Sequence, residues 1–138
     1  MMISTRGRYA LRVMIDLAEQ DANVYTPMKD VALRQDISLK YLEKILPVLR
    51  KNRLIEGIHG KGGGYRLTRQ PEDYPVGEIL KLAEGGLEPV ACLRCEAEPC
   101  VRTAECKTLP LWQHLDQLIM DYLNSVTLAD LVQGKELN

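Results

Sequence analysis

The segment at residues 37–67, ISLKYLEKILPVLRKNRLIEGIHGKGGGYRL, constrains the fold more than any other part of the chain. Leu39, Leu42, Ile45, Leu46 and Leu49 recur at steps of three and four, the mark of one apolar helix face. Ser38 stands where a helix N-cap belongs, and Lys40, Glu43 and Lys44 fall on the polar side. Pro47 conflicts with this pattern, because it removes a ladder hydrogen bond and should kink the helix. The periodicity nevertheless continues to Asn52. Two short β-prone runs follow, residues 54–58 and 65–68, joined by His59-Gly60-Lys61-Gly62-Gly63-Gly64. Four glycines allow a tight turn and a close backbone approach to a partner, and turn geometry alone accounts for two of Gly62, Gly63 and Gly64. A polar helix followed by a basic hairpin is what a winged helix-turn-helix needs: the helix enters a DNA groove and the wing touches the neighbouring backbone.

The flanking sequence completes that unit. In residues 5–19, Tyr9, Ala10, Val13, Met14, Leu17 and Ala18 share one helical face. Thr26-Pro27 reads as an N-cap with proline at the first position of a second helix, and Gln35-Asp36 as the turn after it. The expected fold is mainly α with a small β-hairpin wing, a winged helix-turn-helix domain plus a long dimerisation helix. Its expected parts are residues 1–70, the DNA-binding domain; residues 71–108, a short helix opened by Pro75 and a cysteine-rich sensor loop; and residues 109–138, a dimerisation helix and a C-terminal helix. Leu111, Trp112, Leu115, Leu118, Ile119, Tyr122 and Leu123 form a stripe too apolar for a free surface helix, so a homodimer interface is expected there. Thr127 with Asp130 has the spacing of a capping box.

Charge divides along the same line. Residues 1–70 hold thirteen Lys and Arg against seven Asp and Glu, and residues 71–138 hold five against twelve. A basic half beside an acidic half indicates an anion-binding module joined to something else. Candidate duplex contacts are Ser38, Lys40, Tyr41, Glu43 and Lys44 on the helix and His59, Gly60 and Lys61 on the wing. Thr5, Arg6 and Arg8, with Ser4, could hold a backbone phosphate at the first helix's N-terminus. Arg50, Lys51 and Arg53 suit phosphates, which position rather than specify. No apolar run is long enough to cross a bilayer and no secretory signal opens the chain, so a cytoplasmic protein with no membrane partner is expected. No nucleophile–base pair is apparent and the two histidines lie far apart in sequence, so no enzyme is expected.

Cys92, Cys95, Cys100 and Cys106 are all the cysteines of the chain, in a segment without periodicity. In a chain with its own aliphatic core, such density points to metal ligation or thiol redox chemistry rather than structural disulfides. Thiolates hold iron–sulfur clusters and structural zinc alike, and spacing alone does not separate them. An iron–sulfur electron carrier docking through its basic half is the alternative of another class, but the wing would then have no purpose.

These pieces together resemble the IscR-type winged-helix regulators, a bacterial family that includes the iron–sulfur cluster regulator, NsrR and CymR. The resemblance rests on the opening from Ser4 through Leu11, on Ile37-Ser38-Leu39-Lys40-Tyr41-Leu42-Glu43, and on Gly60-Lys61-Gly62-Gly63-Gly64-Tyr65. Val76-Gly77-Glu78-Ile79, the cysteine loop and the Trp112 helix match as well. It implies a dimeric transcription regulator on a pseudo-palindromic double-stranded operator. It also implies an iron–sulfur cluster, 2Fe–2S before 4Fe–4S, held by three loop cysteines. Two departures stand out. The histidine three residues after the last cysteine in the iron–sulfur regulator is here Leu109, and the acidic fourth ligand of NsrR matches Arg8. Cys95 is the natural substitute, with Glu96, Glu98, Glu105 or a partner residue as alternatives. A zinc-bound or cluster-free repressor, controlled by a protein partner or by thiol redox state, is the second regulator reading.

Overall fold

A computed structural model describes residues 3–94, 98, 100 and 102–137. In chain order the elements are α1 (Thr5–Ala18), α2 (Met28–Gln35), α3 (Leu39–Lys51), β1 (Ile55–Ile58), β2 (Gly64–Leu67), α4 (Val76–Glu84), α5 (Leu109–Ser125) and α6 (Leu128–Val132). β1 and β2 pair antiparallel with Ile55 opposite Leu67 and Ile58 opposite Gly64. The expected class, mainly helical with a hairpin wing, is the observed one. Short 3-10 turns at Pro71–Asp73, Ala91–Leu93 and Thr103–Glu105 interrupt the connections.

Ala10, Val13 and Met14 of α1 meet Val31 of α2, Leu42, Ile45 and Leu49 of α3, and Leu54 in one buried cluster. Tyr74, Ile79, Ala83 and Leu128 join the same cluster, so α4 and α6 close over the three-helix unit. α1 and α2 are also tied through Asp16, only 3% exposed. Its carboxylate accepts from Arg34 Nε at 3.1 Å and Nη2 at 2.7 Å, and from Gln35 Nε2 at 3.0 Å. A buried carboxylate needs such partners, since leaving it unpaired costs several kcal/mol.

Local signals are met in α3 and corrected in α2. Ser38 Oγ accepts from the Tyr41 amide at 3.1 Å, the expected cap. α3 runs through Pro47 to Lys51 despite a conflict worth about 3 kcal/mol, because its inner face is buried by the core. Thr26, by contrast, does not cap α2; Pro27 is the N-cap residue. The Thr26 amide donates to Tyr65 O at 2.8 Å and the Tyr65 amide donates to Thr26 O at 2.9 Å. This bridge holds Thr26 in extended pairing beside the wing. It also explains Gly64: φ is +154, and a Cβ there would lie 2.2 Å from Thr26 O.

Tyr74, fully buried, ties the wing base to the C-terminal segment. Its hydroxyl donates to Leu54 O at 2.7 Å and accepts from the amides of Thr68 at 3.0 Å and Arg69 at 3.1 Å. Its backbone carbonyl accepts from the Leu128 amide at 2.9 Å, and the Val76 amide donates to Val126 O at 2.8 Å. α5 is fastened at its C-terminal end by these bonds and by close packing on α4, where a Cβ on Gly77 would lie 2.2 Å from Asn124 Oδ1. No residue of α5 is buried. Leu111, Leu115, Leu118 and Tyr122 line one exposed face. Among the described residues no helix is long and apolar enough to cross a membrane.

Candidate nucleic-acid interface and cysteine loop

α3 divides cleanly by face. Leu42, Ile45, Leu46 and Leu49 are buried, while Lys40, Glu43, Lys44, Pro47, Arg50 and Lys51 are exposed. The Ser38 cap fixes where the helix begins and so which turn presents Lys40 and Glu43. Tyr41 is half-buried, its ring edge-on to Tyr9 at 5.4 Å between centroids. That packing gives Tyr41 a structural use that its sequence position alone did not reveal. Between α3 and the wing lies a depression of about 480 Å³ lined by Glu43, Leu46, Pro47, Arg50, Lys51 and Tyr65.

The wing tip carries exposed His59, Gly60 and Lys61. The turn closes by the Gly63 amide donating to Gly60 O at 3.0 Å, with Gly60 at φ +94. Arg66 pairs with Glu56 across the strands at 2.7 Å and lies over the Tyr25 ring at 4.3 Å, stiffening the hairpin.

The start of α1 departs from the expected phosphate seat. Glu84, the last residue of α4, places Oε1 3.0 Å from the Ser4 amide, 2.6 Å from Ser4 Oγ and 3.0 Å from the Gly7 amide. The Ser4 and Gly7 amides and the Ser4 hydroxyl are thus engaged by the chain's own carboxylate. Arg6 and Arg8 remain exposed, and Thr5 is half-buried. Arg8 Nη2 donates to Thr5 Oγ1 at 3.1 Å. Sequence reasoning missed Glu84; the one hint was a first turn of α1 without any acidic residue.

Among the described residues, the chain between α4 and α5 brings three cysteines to one place. Cys92, Cys100 and Cys106 line a cavity of about 240 Å³ together with Leu93, Thr103, Leu109 and Gln113. Cys95, with Glu96, lies outside the described residues. Cys92 and Cys100 are exposed, and the described thiols are free. The Thr108 hydroxyl, 3.4 Å from Cys106 Sγ, holds the Cys106 thiol below its ordinary value, assisted by the Thr108 backbone. As placed, no three His, Cys, Asp or Glu among the described residues are grouped tightly enough to hold a metal. His114 and Glu105 are exposed and do not line the cavity. Leu109 does line it, an apolar residue where the resemblance would have had a ligand.

A winged helix with an exposed basic recognition helix and a basic wing tip defines a DNA-binding transcription regulator. The chain belongs to the Rrf2 family, described as iron-dependent transcriptional regulators, whose pattern matches residues 3–134. It is similar to the HTH-type transcriptional regulator IscR of Pectobacterium atrosepticum, 38% identical over 99% of this chain and 82% of that one. Among solved structures it is similar to CymR (YrzC), the global cysteine regulator of B. subtilis, with a TM-score of 0.77, 33% identity and 99% of each chain covered. The T. potens IscR structure superposes with a TM-score of 0.75 at 32% identity, covering 99% of this chain and 89% of that one. The relatives are regulators and not enzymes, as the sequence led one to expect.

Proposed function

We propose that the chain is a homodimeric regulator that binds a pseudo-palindromic duplex and senses iron–sulfur status through the loop between α4 and α5. The observation that carries this reading is the convergence of Cys92, Cys100 and Cys106 on one cavity at the start of α5. Soft thiol donors, with Leu93 and Leu109 beside them, suit an iron–sulfur cluster in donor chemistry. Their present spacing is wider than ligation needs, so binding would draw the loop together. Cys95 is the candidate fourth thiolate. A bound cluster would supply an assembly- and oxidation-sensitive centre; a 2Fe–2S cluster is the first expectation.

The chain's own residues supply the rest. α5 presents Leu111, Leu115, Leu118 and Tyr122 to the second copy. The loop joins α5 to α4, and α4 packs on both α1 and α3. Tightening the loop would bias the separation of the two recognition helices, and both half-sites must fit at once. On α3, Lys40, Glu43 and Lys44 address base edges, while Arg50 and Lys51 address phosphates.

Alanine at Cys92, Cys100 or Cys106 should each abolish stable iron and sulfide incorporation and remove the cluster-dependent change in duplex affinity. Cys95→Ala tests the ligand scheme separately: full cluster content and stability in that variant would sink the four-thiolate assignment. A second reading has support in the CymR likeness and the exposed thiols: a cluster-free repressor governed by thiol oxidation or a protein partner. Peroxide-dependent duplex affinity in metal-free protein would favour it. One zinc per chain would instead give the loop a structural role.

A further inference from the structure

We propose that Pro47 reads a base: its ring packs against the 5-methyl group of a thymine in the major groove. The inference rests on the DNA-binding reading and names a specificity residue within it. On α3, Lys40, Lys44, Pro47 and Lys51 follow one another at steps of four, three and four, so they form one stripe, and all are exposed. Pro47 lies in the middle of that stripe, flanked by Glu43 and Arg50. It is the apolar member of an otherwise charged row.

Pro47 is exposed and stands outside the buried face of α3. Its missing N–H leaves the Glu43 carbonyl without the ladder bond that an ordinary residue would supply, and its ring crowds that carbonyl. The buried side of α3 is made by Leu42, Ile45, Leu46 and Leu49, to which the ring adds nothing. A residue that breaks a local rule without a packing return marks a functional position. The ring lines the depression between α3 and the wing, beside Leu46 and Tyr65, with Glu43, Arg50 and Lys51 supplying its charged groups. A rigid ring that donates no hydrogen bond, among side chains that address base edges and phosphates, suits the one apolar group the major groove displays. That group is the thymine methyl.

The test begins with duplexes selected from a random double-stranded library by the full chain. Each thymine of a selected duplex is then replaced by deoxyuridine, which removes only the methyl. The expected result is one thymine per half-site at which uracil weakens wild-type binding about fourfold, the worth of burying one methyl group. Pro47→Ser should weaken binding to the thymine duplex by the same factor and show no further loss with uracil there. Pro47→Ala should melt above wild type, because α3 regains a ladder bond, and thereby shows that position 47 can change without unfolding. Pro47→Ala should also bind the thymine duplex no better than wild type. Selective binding without any uracil penalty that disappears in Pro47→Ser overturns the inference and leaves the DNA reader intact. Failure of wild type to select any duplex overturns both.

Discussion

Glu84 and Gly7 show how a single pair can decide the start of an element. The carboxylate serves as a cap in trans for α1, satisfying two amides and the Ser4 hydroxyl. A Cβ on Gly7 would lie 2.3 Å from Glu84 Oε1, so a side chain there would push the carboxylate off the amides it caps. Glu84→Ala should therefore destabilise by about 1–2 kcal/mol, the usual worth of a lost cap. Gly7→Ala should be unfavourable in wild type yet stabilise by up to about 1 kcal/mol once Glu84 is alanine, when only helix propensity is left. Urea denaturation of the four-member cycle checks both; additive effects would contradict the pairing. Tyr74→Phe keeps the ring but strands Leu54 O and the amides of Thr68 and Arg69, at a cost of about 1–3 kcal/mol in the same assay. None of these contacts was legible in the sequence. Glu84 lies 77 residues from Gly7, and Tyr74 lies 20 from Leu54, so neither contact follows from a local pattern. Ser38 was legible because its partner, the Tyr41 amide, is local.

Among the elements, those specified by short-range patterns were read best. The Leu39–Lys51 helix survives its proline because four buried aliphatic residues hold it, as the periodicity indicated. The second helix was misread at its cap, because the extended pairing of Thr26 with Tyr65 joins residues far apart in sequence. The last helix follows its capping box: Thr127 Oγ1 accepts from the Asp130 amide at 3.1 Å and Asp130 Oδ2 accepts from the Thr127 amide at 3.0 Å. Those bonds to Thr127, the backbone one first, hold the Asp130 carboxyl below its ordinary 3.8. A depressed carboxyl contributes stability that is complete above its unfolded value and is lost as pH falls through the folded one. The melting difference between wild type and Asp130→Asn should thus be constant near neutrality and shrink below about pH 4. A difference independent of pH would remove the charge from the account. Among its described residues the cysteine segment holds only short 3-10 turns, in keeping with its lack of periodicity. Which thiols it gathers was not readable, because spacing carries no information on how an irregular loop folds back.

For the molecule as a whole, the charge split and the two ends of the chain describe one design. A basic reading head is built on α1 to α3 and the wing, and α4 joins it to a loop and a helix with an exposed apolar face. Placing a charge at the centre of that face, with Leu118→Glu, should convert a dimer to a monomer in sedimentation equilibrium. It should also lower affinity for a two-half-site duplex far more than for a single half-site. A wild-type chain that is monomeric at micromolar concentration would remove the basis of that expectation. The most direct test of the central claim is anaerobic purification followed by visible absorption with iron, sulfide and zinc analysis. The account predicts a coloured protein with sulfide-to-iron charge-transfer bands and matching iron and sulfide, lost when Cys92, Cys100 or Cys106 is alanine. A colourless protein that takes up neither iron nor sulfide on reconstitution, or that holds one zinc per chain, would contradict it.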